Sequence, residues 1–245
     1  IYEFVKDLWH THYWMEGASA LALQNDPDLY EKLNTNEIGF ADVPEFETAL
    51  EQLQEMEAAG YFGENHMSNI YDNSYAALED EEYGMIIIHG SYPTEMQQNL
   101  DSVNPDDYGM FPSPLADNQY VTLTAGGTTK CINANSDHVE EAKQYFDFLA
   151  REDNLKKLYA EKTTYVSSSM KGIEASPTQA YTELIENAAG EAQGAEASVL
   201  FYDGNKISEL CQEMFVGNLT PKQVLEEFDS HRRALAKDAG QEGFE

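Results

Sequence analysis

The sequence Glu-Tyr-Gly-Met-Ile-Ile-Ile-His-Gly-Ser-Tyr, at residues 82–92, decides the fold class. Its centre, Met85–Ile88, is a short apolar run rich in β-branched side chains and bounded by Gly84 and Gly90, which is typical of a buried strand. Tyr92 follows this strand directly. Because ligands of α/β proteins bind in the crevice beyond the strand ends, Tyr92 is a candidate ligand-binding residue, with an ordinary loop tyrosine as the alternative.

Helical patterns lie on both sides of this strand. Residues 42–45, Asp-Val-Pro-Glu, predict a capping box, apolar residues follow at helical spacing from Phe46, and Gly60 stands where such a helix would end. Capping sequences at 137–140 and 220–223 predict two further helices. Short strands are predicted at residues 108–111, 120–124 and 129–133. Helices and strands therefore alternate along the chain, which indicates the α/β class.

The composition is that of an acidic globular protein. The 245 residues carry 45 acidic against 14 basic side chains, a formal net charge of −31, and 42% of them are hydrophobic. Because a field of this sign repels nucleic acid and anionic lipid headgroups, we expect neither as a partner, and the charge favours a monomer. Two cysteines are too few for a disulfide framework. We find neither a membrane-spanning run nor a signal peptide in the sequence, so the location of the protein has to be inferred by resemblance.

An aromatic and imidazole cluster near the start of the chain is the main candidate for a binding site. It comprises Trp9, His10, His12, Tyr13 and Trp14. Flat aromatic side chains stack on the apolar faces of sugar rings, while neighbouring polar groups satisfy the sugar hydroxyls. The alternative is that the aromatic residues of the cluster belong to a helical core, since their spacing is compatible with one helix face.

Metal-binding and catalytic signatures are not found in the sequence. His10 and His12 alternate as two ligands on a strand would, but no third ligand stands at a suitable spacing, so we expect no metal and no cofactor. There is no Gly-x-Ser-x-Gly, His-Glu-x-x-His or P-loop motif, and no spacing selects a carboxylate pair for glycoside hydrolysis. We therefore expect a binding protein and not an enzyme, with a carbohydrate-active enzyme as the less favoured alternative.

Seven short motifs follow one another across nearly the whole chain. In order, they lie at residues 6–9, 42–62, 75–92, 111–114, 126–133, 141–149 and 217–225. None of them is specific alone, but their order resembles that of the family 1 extracellular solute-binding proteins, the substrate-binding components of carbohydrate ABC transporters. One departure from the family pattern is Tyr92, which stands where the family has a tryptophan.

The resemblance implies a fold as well as a family. It is the α/β, periplasmic-binding-protein-like fold of type II, with two lobes joined by a hinge. On the family's order, residues 1–117 form the first part of the C-terminal lobe, residues 118–174 return to the N-terminal lobe, and residues 175–245 complete the C-terminal lobe. We therefore expect an N-terminally truncated chain, with most of the N-terminal lobe absent.

The resemblance also implies a function. The protein would bind a sugar, with an oligosaccharide as the expected form, and deliver it to an ABC transporter membrane permease. Its lobes would close about hinge strands near residues 114–120 and 169–175. It would be extracellular, as a cell-surface lipoprotein or a periplasmic protein. Cys131 and Cys211 would fall on different lobes and stay unbonded. Another solute, such as a polyamine or a peptide, is the alternative ligand.

Further candidate site residues come from the same resemblance. Tyr71 matches an aromatic residue that precedes a helix, with a plain core role as its alternative, and Tyr202 and Asp203 fall near the family's last cleft segment. Gly126 and Gly127 would mark a close approach of the backbone to ligand or hinge, or an ordinary β-turn. The candidate ligand-binding residues are therefore Trp9, His10, His12, Tyr71, Tyr92, Gly126, Gly127, Tyr202 and Asp203.

Overall fold

The structure, a computed structural model, describes residues 1–123, 130–168 and 170–244. The chain forms two compact units. The larger unit comprises Ile1–Ile88, Phe111–Ala125 and Asn187–Glu245, and the smaller unit comprises His89–Met110 and Gly126–Glu186. The lobe boundaries expected after residues 117 and 174 stay a prediction.

Helices dominate the part of the chain that the structure describes. They are α1 (Tyr13–Glu16), α2 (Ser19–Asn25), α3 (Leu29–Asn34), α4 (Pro44–Ala58), α5 (Ser74–Glu79), α6 (Tyr92–Asn99), α7 (Val139–Leu149), α8 (Glu152–Glu161), α9 (Gln179–Asn187), α10 (Ala195–Ser198), α11 (Gly204–Phe215) and α12 (Pro221–Asp238). Two short strands, β1 (Val121–Leu123) and β2 (Glu191–Gln193), pair in parallel, with Val121 opposite Glu191.

The core of the larger unit is built around α4. This helix begins at Pro44, which suits the first helical turn, and it buries Phe46, Leu50 and Leu53 on one face. It packs against α1, α2 and α12. Each fully buried side chain of this size contributes about 1.5–3 kcal/mol to folding. The predicted helix is confirmed.

The capping box predicted for α4 is wrong. Val43 is its N-cap residue and makes no side-chain cap. The Asp42 carboxylate instead accepts a hydrogen bond of 2.8 Å from the backbone N–H of Gly39, because residues 40–42 form a 3₁₀ turn before the helix. Asp42 therefore closes the preceding turn.

The last two helices of the larger unit form a packed pair. α11 buries Ile207 and Met214, and α12 buries Val224 and Phe228. The capping sequence predicted at residues 220–223 is confirmed, since the Thr220 hydroxyl accepts from the backbone N–H of Gln223 and the Gln223 side chain accepts from the N–H of Thr220. This pair fixes the segment that precedes α11, which matters for the site below.

The apolar run at residues 85–88 does not form a strand of a sheet. Ile86 makes one isolated parallel bridge with Tyr2, and the side chain of Met85 is 47% exposed. The reason is that its partner segment turns into a 3₁₀ helix at Val5, which ends the pairing. The predicted strand at residues 120–124 is confirmed as β1 over its described part, whereas residues 108–111 and 130–133 are not strands.

The smaller unit contains α6 to α8 and most of α9. Its buried residues include Tyr92, Met96, Ile173 and Leu184. The helix predicted after residues 137–140 is present as α7, but its N-cap residue, His138, makes no side-chain cap. The capping box expected there is therefore wrong, although the position of the helix is right.

Both cysteines are free thiols, as predicted. Cys131 is exposed and Cys211 is buried in the core of the larger unit. Among the residues that the structure describes, no helix has both the length and the apolar character needed to cross a bilayer.

Candidate functional site

A cavity of about 290 Å³ opens in the larger unit. Four parts of the chain line this cavity: the segment before α1, α1 itself, α10, and the start of α11 with the residues just before it. The lining residues are Trp9, His12, Tyr13, Glu196, Tyr202, Asp203, Gly204 and Asn205. The cavity brings together four of the candidate ligand-binding residues: Trp9, His12, Tyr202 and Asp203. The first two lie almost 200 positions before the last two in the sequence.

Trp9 is held in place by other aromatic rings. Its ring centroid lies 5.2 Å from that of Phe4 and 5.3 Å from that of Tyr71, both in edge-on contact. The backbone reaches Trp9 through Leu8, whose φ of 58° is left-handed and turns the chain after the 3₁₀ helix at residues 5–7. Trp9 is half-buried, so it keeps surface for a ligand. Tyr71 supports Trp9 from behind and does not line the cavity.

His12 is the most informative residue of the lining. Its residue is only 3% exposed, and neither ring nitrogen has a hydrogen-bond partner among the described residues. The closest charged atom is Oε2 of Glu196, at 3.7 Å from Nε2. A buried polar group without a partner costs about 1–3 kcal/mol, which a ligand that pairs with the imidazole would offset.

His10 has a different environment from His12. It is fully buried, its Nδ1 lies 3.2 Å from Oε1 of Glu3, and its Nε2 donates to the carbonyl of Ile87 over 2.6 Å. The Glu3 carboxylate also accepts hydrogen bonds from Thr11 and from the Trp14 indole. Both nitrogens of His10 are therefore committed to the protein, and the structure does not place this residue in the lining.

Asp203 and Tyr202 enter the lining just before α11. Asp203 is the N-cap residue of α11: its Oδ1 accepts from the backbone N–H of Lys206 at 3.1 Å, while its Oδ2 lies 3.0 Å from Nε2 of His231. The Tyr202 ring packs on Phe228 with centroids 5.5 Å apart. Burial, with the nearby carboxylates of Glu16 and Glu196, raises the pKa of the Tyr202 hydroxyl well above its ordinary value, so it stays protonated.

A buried carboxyl group lies beneath the cavity. Glu16 is 1% exposed, and burial raises its pKa to about 8 although the backbone N–H of Glu196 donates to it at 3.0 Å and the Ser19 hydroxyl at 3.2 Å. At neutral pH this group is mostly a neutral acid. A close contact also explains Gly194, because a Cβ there would clash with the carboxyl group of Glu16.

The cavity has an acidic lining. Glu196 and Asp203 contribute carboxylates, and among the residues that the structure describes no lysine or arginine side chain lines the cavity. Burial, followed by Glu196 and Glu16, raises the pKa of Tyr13 to about 12. In the described part of the chain, no group of three or more His, Cys, Asp and Glu side chains is arranged to hold a metal ion. The arrangement can stack aromatic faces on a ligand and accept hydrogen bonds from it.

The remaining candidates lie elsewhere. Tyr92 is the first residue of α6 in the smaller unit and is 2% exposed, so it is not part of this lining. Gly126 and Gly127 lie outside the described residues. A second cavity, of about 440 Å³, lies near the C-terminus and contains none of the candidates; it is lined by Lys237, Gly240, Gln241, Glu242 and Phe244.

Sequence reasoning missed Glu196, Gly204, Asn205 and the supporting Glu16. Glutamate is so frequent in this chain that its pattern carries no signal for any single position. A detectable signal existed only near Asn205, where Asp-Gly before a helical pattern predicts an N-cap at Asp203.

Two comparisons with known proteins give matches. The family described as bacterial extracellular solute-binding protein matches residues 5–156. The solved structure of a candidate binding protein, MsmE from Bacillus subtilis subsp. subtilis strain 168, in an open conformation, superposes with a TM-score of 0.69 at 15% identity. The match covers 98% of this chain and 60% of MsmE, so the chain spans less than two thirds of that protein's length. No curated protein sequence matches the chain.

Proposed function

The chain belongs to the bacterial extracellular solute-binding protein family, and we propose that it binds a carbohydrate and delivers it to the membrane permease of an ABC transporter. The likeness to MsmE confirms the predicted periplasmic-binding-protein-like fold. Family membership supports a binding role outside the cytoplasm. The sugar, the permease and the mode of anchoring are parts of the proposal.

The observation that carries the proposal is the aromatic lining of the cavity. Trp9, Tyr13 and Tyr202 surround a space of about 290 Å³, together with polar groups from Asp203 and Asn205. Small-molecule sites span roughly 300–1,000 Å³, so this space suits one sugar ring, as a monosaccharide or the end of an oligosaccharide. A sugar offers apolar area only on its ring faces, and its hydroxyls are already satisfied by water. Affinity must then come from stacking plus well-formed hydrogen bonds.

The proposed role is capture without chemical turnover. The complete protein would act as a monomer, as a periplasmic protein or a cell-surface lipoprotein, and its lobes would close on the ligand about hinge segments near residues 114–120 and 169–175. A test of turnover is direct. An oligosaccharide that the protein binds should be recovered intact after prolonged incubation, and its cleavage would favour a carbohydrate-active enzyme instead.

A glycan panel tests the ligand class. The full chain is melted in the presence of mono- and oligosaccharides, peptides and polyamines, and hits are measured by titration calorimetry. We expect at least one sugar to raise the melting temperature, since ligand at 100 times its Kd stabilises the folded state by about 2.7 kcal/mol. A shift produced only by peptides would overturn the carbohydrate proposal.

A further inference from the structure

We propose that the cavity of the larger unit binds a protonated amino group of the ligand. This inference rests on the proposed function for the sugar ring and deepens it, since together they identify an amino sugar with a free ammonium group.

The two carboxylates of the lining have histidine side chains as ion-pair partners, and no lysine or arginine among the described residues. The Glu196 carboxylate is 31% exposed, and its only ion-pair partner among the described residues is His12, with 3.7 Å between the nearest atoms. The nearby lysine does not neutralise it, because Lys206 pairs with Glu209 at 2.8 Å. Among the described residues, the only ion-pair partner of Asp203 is His231. A cation in the cavity would therefore lower the electrostatic energy of both carboxylates.

The imidazole of His12 has no hydrogen-bond partner among the described residues. His12 lines the cavity with both ring nitrogens unsatisfied, and it is nine-tenths or more buried. A neutral imidazole has one acceptor nitrogen, which can receive a hydrogen bond from a ligand N–H. An ammonium group has three donors, whereas a hydroxyl has one. One ammonium group can thus donate to His12 and Glu196 together, since Nε2 of His12 and Oε2 of Glu196 lie 3.7 Å apart, and the bond to the carboxylate is charge-assisted.

The aromatic residues of the lining also favour a cationic ligand. Trp9, Tyr13 and Tyr202 present rings to the same space, and aromatic faces attract cations as well as stacking on sugar rings. The carboxylate of Glu196 lines the same space. Carboxylates beside aromatic rings form a site that prefers an organic cation to a neutral group of the same size.

Titration calorimetry on the full chain tests the inference with matched ligands. Glucosamine, galactosamine and mannosamine carry an ammonium group, and their parent sugars and N-acetyl forms are neutral. At pH 6.5 and low salt, we expect the best amino sugar to bind at least roughly tenfold more tightly than its neutral counterparts, with the preference weakening as salt is raised. The variant Glu196→Gln should remove most of this preference, measured as the ratio of the amino-sugar affinity to the neutral-sugar affinity.

A matched variant and a polyamine complete the experiment. Glu227→Gln removes a carboxylate that is exposed on α12 and outside the lining, so it should leave all affinities unchanged. Equal binding of amino and neutral sugars, or no binding of any amine, would overturn the inference, and in the first case the proposed function would stand. Binding of spermidine with no binding of any sugar would retain the ammonium site and overturn the carbohydrate proposal.

Discussion

Gly204 lies against the ring of His12: a Cβ atom at Gly204 would be 2.8 Å from Cε1 and 2.9 Å from Nδ1 of the imidazole. Both residues line the cavity, and Gly204 is the first residue of α11. Contacts this short are not compatible with a side chain larger than hydrogen. The glycine therefore fixes where the unpartnered imidazole stands.

The variant Gly204→Ala tests this relationship. We expect the methyl group to displace the His12 ring, to destabilise the fold by about 1–3 kcal/mol as overpacking does, and to weaken ligand binding roughly tenfold. Gly84→Ala is the control, because a Cβ there meets no atom within 4 Å. Thermal melts and calorimetry measure the two effects. Affinity equal to that of the original protein would show that the position of His12 does not matter for binding.

The buried acid Glu16 predicts a pH dependence of stability. Its pKa rises from an ordinary 4.5 to about 8 because it is buried. The folded state therefore holds a proton that the unfolded state releases, so the stabilisation is complete below pH 4.5 and is lost as the pH rises through about 8. The loss amounts to roughly 3–5 kcal/mol.

Glu16→Gln replaces the neutral acid by a neutral amide of similar shape. Melting temperatures of the two proteins are compared from pH 5 to pH 9. We expect the melting temperature of the original protein to fall relative to that of the variant between pH 5 and pH 8, and the difference to level off above pH 8. Parallel curves would mean that Glu16 is not protonated in the folded protein at neutral pH.

The pair of Glu3 and His10 predicts a different stability effect. Burial alone would raise the pKa of Glu3, but His10 and the hydrogen bonds of His10, Trp14 and Thr11 outweigh it and hold the pKa below its ordinary value. The contribution of Glu3 is present above its unfolded pKa and is lost as the pH falls through the lowered folded value. Removing His10 alone leaves a buried carboxylate without its partner, which destabilises by about 3–5 kcal/mol.

A double-mutant cycle in urea measures this pair. His10→Gln should be strongly destabilising, and Glu3→Gln combined with His10→Gln should be less destabilising than the sum of the single variants. Ligand affinity, measured below the unfolding transition, should change little in His10→Gln. A loss of affinity without a loss of stability would instead assign His10 to the ligand, as the sequence suggested.

The two histidines show why the sequence predicts elements better than sites. The pattern around α4 and the Thr220 capping box depend on neighbours within one or two helical turns, so both were predictable. His10 and His12 have similar local sequences, and what separates them is distant: His10 Nε2 meets the carbonyl of Ile87, whereas His12 meets Gly204. The strand at residues 85–88 failed for a similar reason, since a strand needs a partner that the sequence alone does not supply.

Trp9 is expected to contribute most of the stacking energy in the cavity. Truncating a central aromatic anchor typically costs about 2 kcal/mol or more, which is roughly thirtyfold in affinity. Since Trp9 is half-buried and other rings surround it, Trp9→Ala should also lower the melting temperature somewhat. Titration of Trp9→Ala with a sugar identified in the panel, alongside a thermal melt, separates the two effects.

Trp14 provides the matched comparison for Trp9. It is 5% exposed in the core, and its indole N–H donates to Glu3 over 2.6 Å. Trp14→Phe should therefore lower the melting temperature more than it lowers affinity, because the buried Glu3 carboxylate loses a donor while the cavity keeps its lining. Tyr92→Ala is titrated in the same series, since Tyr92 was a candidate for stacking. If Trp9→Ala kept full affinity while Tyr92→Ala lost it, the ligand would bind outside the cavity described here, and Trp9 would be a core residue alone.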